Sequence, residues 1–165
     1  MTFTFKPFAA RMALALAIAL PGLVQAAQTE EDPILTRWKV YYNRTCTLQS
    51  IVEFVKEDDG TISGYVRKLN TADPRVVTVC TLCPAPFTNK PVLNMRVIWG
   101  LKPETNHPGN YTSGYAMDPA NGKIYKGKGR ISPDGRRLWM RGYIGISMLG
   151  RTEVWLRDEG NSEKE

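Results

Sequence analysis

From residue 37 onward, apolar and polar residues alternate with a period of two, the pattern of strands with one buried face. Eight runs carry it: RWKVYY (37–42), SIVEFVK (50–56), ISGYVRK (62–68), NMRVIWG (94–100), YTSGYAM (111–117), KIYKGKG (123–129), RLWMRGY (137–143) and RTEVWLR (151–157). All are rich in β-branched and aromatic residues, which suit a pleated, half-buried surface. Turn formers separate them, among them Asp58-Asp59-Gly60, Asn110, Asp118-Pro119-Ala120-Asn121-Gly122 and Ser132-Pro133-Asp134-Gly135. No window after the N-terminal segment carries a helical period. Short strands each joined to the next by a turn predict an all-β fold, an antiparallel up-and-down sheet. Closure into an eight-stranded barrel follows, because it removes the exposed edges.

Alternation also predicts which side chains point inward. Trp38, Val40 and Tyr42 share a face opposite Arg37, Lys39 and Tyr41. Met95, Val97 and Trp99 oppose Arg96, and Leu138 and Met140 oppose Arg141. A slip of one residue would bury the charges. Tyr111, Ser113, Tyr115 and Met117 share a face of mixed polarity. The inner faces mark Trp38, Val40, Val97, Trp99, Tyr115, Leu138 and Met140 as candidate ligand-lining residues. Successive connections of such a barrel lie at alternate ends. The loops around Cys46, at 69–93, at 118–121 and at 144–149 therefore share one end, and those at 57–60, 102–109 and 131–136 the other. The 69–93 connection is far longer than a hairpin loop, and such loops often serve as lids or binding segments.

The N-terminus breaks the pattern. In MTFTFKPFAARMALALAIALPGLVQAAQ, Lys6 and Arg11 precede an apolar run, Met12 to Leu20, then Pro21-Gly22 and the small-residue site Val24-Gln25-Ala26. That order reads as a secretory signal peptide, residues 1–26, cleaved after Ala26. The run falls short of the ~20 apolar residues of a spanning helix, and no cysteine follows it to take a lipid. The expectation is a periplasmic or secreted protein, with a single barrel domain over 27–158 and a polar, frayed tail over 159–165.

Cleavage removes two basic residues and no acidic one, so the formal charge of +6 falls to +4. Lys123, Lys126, Lys128, Arg130, Arg136 and Arg137 cluster in sequence, but they alternate with Tyr, Gly and Ile as the wet side of a sheet does. Nucleic acid is not expected as a partner. Asn43-Arg44-Thr45 and Asn110-Tyr111-Thr112 match the glycosylation pattern, which matters only in a eukaryotic secretory pathway.

The chain has three cysteines, two of them in VCTLCPAPF (79–87). A redox C-x-x-C opens a helix, whereas Pro84, Pro86 and Pro91 keep this segment out of one. A zinc site would need Cys46, Cys80, Cys83 and His107 together. His107 belongs to the opposite end, about 20 Å away along a strand, so no metal or cofactor is expected. What remains is a structural disulfide holding the long loop. Cys46–Cys80, Cys46–Cys83 and Cys80–Cys83 are all open, with one cysteine left over. No nucleophilic triad can be built around the single histidine, and no catalytic residue is assigned.

The C-terminal half adds a resemblance. Tyr115, Asp118, Pro119, Gly122, Lys123 and Tyr125 follow Y-x-x-D-P-x-x-G-K-x-Y. Leu138, Arg141 to Tyr143 and Gly145 follow L-x-x-R-G-Y-x-G, and Gly150 to Thr152, Trp155 and Arg157 follow G-R-T-x-x-W-x-R. With the weaker segment KPVLNMRVIWGLKP, these cover most of residues 35–157. They resemble DUF2147, a family of small exported bacterial proteins of uncharacterised function, many of which carry paired cysteines where Cys80 and Cys83 stand. The resemblance implies a lipocalin-like, calycin-type barrel. Calycins begin with G-x-W and pack an arginine of the last strand over that tryptophan. Here the triplet is Thr36-Arg37-Trp38, lacking the glycine, and Arg157 is the arginine that would close the barrel over Trp38.

These observations converge on a binding barrel whose partner is a small apolar or amphipathic molecule, entering beneath the 69–93 loop. The rival is a barrel filled by its own side chains, acting on an envelope protein partner through its surface. An envelope enzyme using His107 or Glu53 is the third class. In RGYIGISMLGRT, Met148 and Leu149, with Arg151, could form a contact surface for a ligand or partner, or tuck under the long loop. Arg141 and Arg151 could bind an anionic headgroup or pair with Glu153.

Overall fold

The computed structural model describes residue 2, residues 31–42 and residues 45–160. The N-terminal segment read as a signal peptide, Asn43-Arg44 and most of the tail lie outside the described residues. Eight strands follow in order: β1 (Arg37–Tyr41), β2 (Leu48–Lys56), β3 (Ile62–Leu69), β4 (Arg96–Pro103), β5 (Asn110–Asp118), β6 (Lys123–Ile131), β7 (Arg137–Tyr143) and β8 (Arg151–Arg157). Each pairs antiparallel with the next, and β8 returns to β1 to close the barrel. The seam is short: Trp38 faces Arg157 and Lys39 faces Leu156. It is extended by an Asp158 N–H that donates to the Arg37 carbonyl and by the Lys39–Asp158 ion pair at 3.2 Å.

One end of the barrel is packed solid. Ile34, Trp38, Phe54, Ile62, Leu101 and Leu138 are all essentially inaccessible there. The turn before β1 plugs this end: Trp38 Nε1 donates to the Ile34 carbonyl at 3.1 Å, and Phe54 N donates to the Thr36 carbonyl at 3.0 Å. Tyr111 donates its hydroxyl to the Asp32 carboxylate. Burial, reinforced by that carboxylate, pushes the phenol well above its ordinary value, so it stays a donor.

The register shifts at five places around the barrel, and those in β4 and β5 move residues expected on the inner wall. Gly64 faces Ile98 but Tyr65 faces Arg96, so Val97 is an extra residue in β4. Val97 and Ile98 both end up buried, and Trp99 swings to the outer face. In β5 the register slips between Tyr111 and Gly114, with Ser113 at φ 62°. Tyr111 is buried, whereas Tyr115 turns outward. Trp99 and Tyr115 therefore stack on each other outside the barrel, their ring centroids 5.9 Å apart, with Phe87 of the long loop 6.1 Å beyond Trp99. The assignment of Trp99 and Tyr115 to the inner wall is corrected by these bulges.

On the outside, Glu53 bridges Arg67 at 2.7 Å and Arg37 at 3.0 Å. The Arg67 hydrogen bond, with Arg37 adding to it, holds its carboxyl below the ordinary 4.5. The folded chain thus resists protonating Glu53 more than the unfolded chain does. Stability from these pairs is complete above about pH 4.5 and is lost as pH falls through the lower folded-state value. Glu53→Gln should cost less than ~1 kcal/mol at neutral pH, as solvent-facing pairs do. Urea midpoints of the two proteins should then converge under acid conditions.

Candidate ligand cavity

Above the packed end the interior opens. A cavity of about 560 Å³ occupies the half of the barrel nearest the 69–93 loop, within the size range of small-molecule sites. Its wall is mainly apolar: Val40, Val52, Val66, Val97, Met140 and Trp155 line it, with Ile98 and Ala116 beside them. Toward the mouth the lining turns polar, with Tyr42, Gln49, Asn121, Arg141, Arg151 and Glu153. Such a gradient suits a molecule with an apolar body and a polar end.

Of the residues expected to line a ligand, Val40, Val97 and Met140 stand on the cavity wall. Trp38 and Leu138 point inward but lie in the packed end, fully buried and absent from the wall. Their role is to make the floor's supporting core. The guanidinium of Arg157 lies 5.1 Å from the centre of the Trp38 ring. It also donates to the carbonyls of Gly135 at 2.7 Å and Pro33 at 2.8 Å, tying three chain segments at the closed end.

The long loop roofs one side. Val76, Val77 and Val92 line the cavity from it. None of the three is among the expected lining residues, although the apolar run RVVTV is a signal in the sequence that this segment reaches the interior. Trp155, Val52 and Val66 are likewise missing from the expected set, although alternation along β8, β2 and β3 carries the signal for them. At the root of the loop Arg75 pairs with Asp73 and lies 4.4 Å from the Tyr42 ring centre. The Arg75 hydrogen bond, joined by the Arg75 backbone N–H, holds Asp73 down at about 2. This strap keeps its charge at any ordinary pH.

Cys80 and Cys83 are joined within the loop, their Cα atoms 5.4 Å apart, a separation ordinary for a disulfide. Cys46 is free and exposed. Of the three open pairings, the one that staples the loop to itself is adopted. Its backbone rests on the turn before β6, since a Cβ at Gly122 would meet the carbonyl group of Leu82 and come within 3.1 Å of Cys83 N. Among the described residues no group of three or more His, Cys, Asp or Glu is placed to hold a metal ion. His107 is exposed at the closed end, 3.5 Å from Glu104.

The β7–β8 connection forms the opposite lip of the mouth as a single 3₁₀ turn, Ser147–Leu149. Its apolar residues do not tuck under the long loop. Met148 is 86% and Leu149 82% exposed, with Leu149 and Arg151 also contributing to the cavity rim. Arg141 is spent on this turn, bonding the Ser147 and Met148 carbonyls and Thr152, while Arg151 sits 3.6 Å from Glu153.

The model of DUF2147, described as an uncharacterized protein conserved in bacteria, matches residues 37–157. The chain belongs to the DUF2147 family. A solved structure from the human pathogen Helicobacter pylori, protein HP1028, described as belonging to the lipocalin family, is similar to this DUF2147 chain. The TM-score is 0.64 at 19% identity, covering 76% of this chain and 83% of that one. The likeness shows a shared fold, a lipocalin-like barrel. Among curated proteins, none matches the sequence.

The structure gives physical content to the DUF2147 motifs. In D-P-x-x-G-K, Asp118 accepts from Ala120 N at 2.9 Å and from the Asn121 side chain at 2.8 Å, shaping the turn on which the disulfide loop rests. In R-G-Y, Arg141 braces the far lip, and in G-R-T, Thr152 receives it. The terminal arginine of W-x-R closes the barrel over Trp38.

Proposed function

We propose that this DUF2147 barrel, exported after removal of residues 1–26, binds a small apolar or amphipathic molecule in its cavity. The observation that carries the reading is the half-filled interior. Bulky side chains pack the closed end, yet the wall at the loop end is built from valines, Met140 and Trp155 around open space. A barrel acting only through its surface has no need of that space. The polar rim would hold a headgroup while the apolar wall takes the body.

Binding rather than catalysis is supported by where the two catalytic candidates read from the sequence sit. His107 lies at the closed end, and Glu53 is tied to two arginines on the outer face. Neither borders the cavity.

Native mass spectrometry of the protein from its own compartment, purified without detergent, tests both halves. The denatured mass should correspond to a chain beginning at Ala27. The native mass should show a reproducible addition that extracts into organic solvent. Ala116→Trp would fill the space between Ile98 and Tyr125, its neighbours across the sheet. It should remove that addition and weaken uptake of an apolar fluorescent probe by about tenfold or more. A bare native mass together with probe uptake indifferent to Ala116→Trp would defeat the reading.

A further inference from the structure

We infer that the mouth of the barrel docks on an anionic lipid bilayer through the β7–β8 turn. Four large apolar residues of one short connection face solvent: Ile144 at 62%, Ile146 at 61%, Met148 at 86% and Leu149 at 82%. Such a concentration on a single lip marks an interaction surface rather than scattered surface hydrophobics. The backbone beneath is firmly held. Arg141 bonds two carbonyls of the turn, and a Cβ at Gly150 would lie 2.7 Å from the Gly142 carbonyl oxygen. The turn is pinned against β7, with Ile146 and Met148 exposed outside the cavity wall.

Charge selects the partner. Lys123 and Lys126 of neighbouring β6 are exposed and have no ion-pair partner among the described residues, whereas Arg151, which follows the turn, is paired with Glu153. The carboxylates at this end are engaged: Asp73 with Arg75, Glu153 with Arg151, and Asp118 within its own turn. The closed end carries the turn carboxylates Glu57, Asp58, Asp59, Glu104 and Asp134, which outnumber their neighbours Lys102, Arg136 and Arg137. An apolar lip beside Lys123 and Lys126, with an excess of carboxylates at the far end, orients the mouth toward a negatively charged lipid surface. A second copy fits poorly, because rim-to-rim contact would oppose like charges. Ile144 and Leu149 belong to both the lip and the cavity wall, so docking would join the cavity to the bilayer by an apolar path. The docking itself does not depend on what the cavity holds.

The test uses the mature protein purified from cells expressing the full chain. It is mixed with vesicles of phosphatidylcholine alone or with added phosphatidylglycerol, and the bound fraction is read by flotation. Binding should require phosphatidylglycerol and fall as salt is raised. Ile146→Ser/Met148→Ser removes exposed apolar area without changing charge, and should weaken binding on the order of fiftyfold. Lys123→Gln/Lys126→Gln should weaken it about tenfold. Circular dichroism melts check that both pairs of surface changes leave the barrel folded. Ile146 and Met148 are not on the cavity wall, so apolar-probe uptake in solution separates a failure of docking from a failure of ligand binding. Absence of binding to the anionic vesicles would overturn the inference, as would equal binding by the Ile146/Met148 variant. So would a dimer that the same variant dissolves, which would make the lip a self-association surface.

Discussion

Trp38→Ala is expected to destabilise the barrel by about 3–5 kcal/mol, the cost of truncating a fully buried tryptophan. Its side chain is inaccessible to solvent at the closed end. The indole donates to the Ile34 carbonyl, and Arg157 lies over its ring. Alanine would leave a void, would leave the Ile34 carbonyl with the Thr36 N–H as its remaining donor, and would remove the face on which Arg157 rests. The loss falls at the shortest strand pairing of the barrel, where β1 meets β8 through two register pairs. Few other contacts stand by to compensate. Urea unfolding followed by far-UV circular dichroism measures the effect independently of the tryptophan fluorescence that the substitution alters. A cost below about 1.5 kcal/mol would mean that the closed end is held by something other than this side chain. Arg157→Ala should cost less, about 1–2 kcal/mol, since the ring contact goes but the indole stays.

Gly122→Ala should be the second most damaging change, at about 2–4 kcal/mol. Gly122 has φ 69°, where a side chain is strained, and the added carbon would run into the Leu82 carbonyl group. That neighbour is backbone in a disulfide-closed loop and cannot swing aside as a flexible side chain would. The Cys80–Cys83 segment must lift off the β5–β6 turn. Gly60→Ala supplies the control, because Gly60 has a similar φ of 80° but open space around it. It should cost only about 1 kcal/mol. The difference between the two isolates the clash, and amide exchange over residues 78–92 should quicken in the Gly122 variant alone. Equal costs at both glycines would show that the loop does not press on this turn.

All eight strands and their closure were legible, because each carries its alternation on its own and turn residues mark the ends. The pairing of Arg157 with Trp38 is implied by the calycin resemblance, and strand order agrees with it by bringing the last strand beside the first. What failed was local parity. Nothing in NMRVIWG distinguishes an ordinary strand from one with an extra residue at Val97, so Trp99 was placed inside when it stacks outside on Tyr115 and Phe87. Bulges depend on how neighbouring strands meet, and a single strand's pattern does not record that. Filling was illegible for a related reason. Identical kinds of side chain build the solid half and the open half, and their reach across the barrel decides which is which. The cysteine pairing needed geometry too, since three partners shared one end of the molecule.

The tie that Arg157 makes at the closed end fixes where the chain can be held from outside. β1 begins and β8 finishes at that end, opposite the mouth. A handle placed beyond β8 therefore leaves the opening pointing away from whatever it is fastened to. Copies immobilised through the carboxyl terminus would all present their mouths to the passing solution, so a sensor surface could be crowded with this barrel without blocking it.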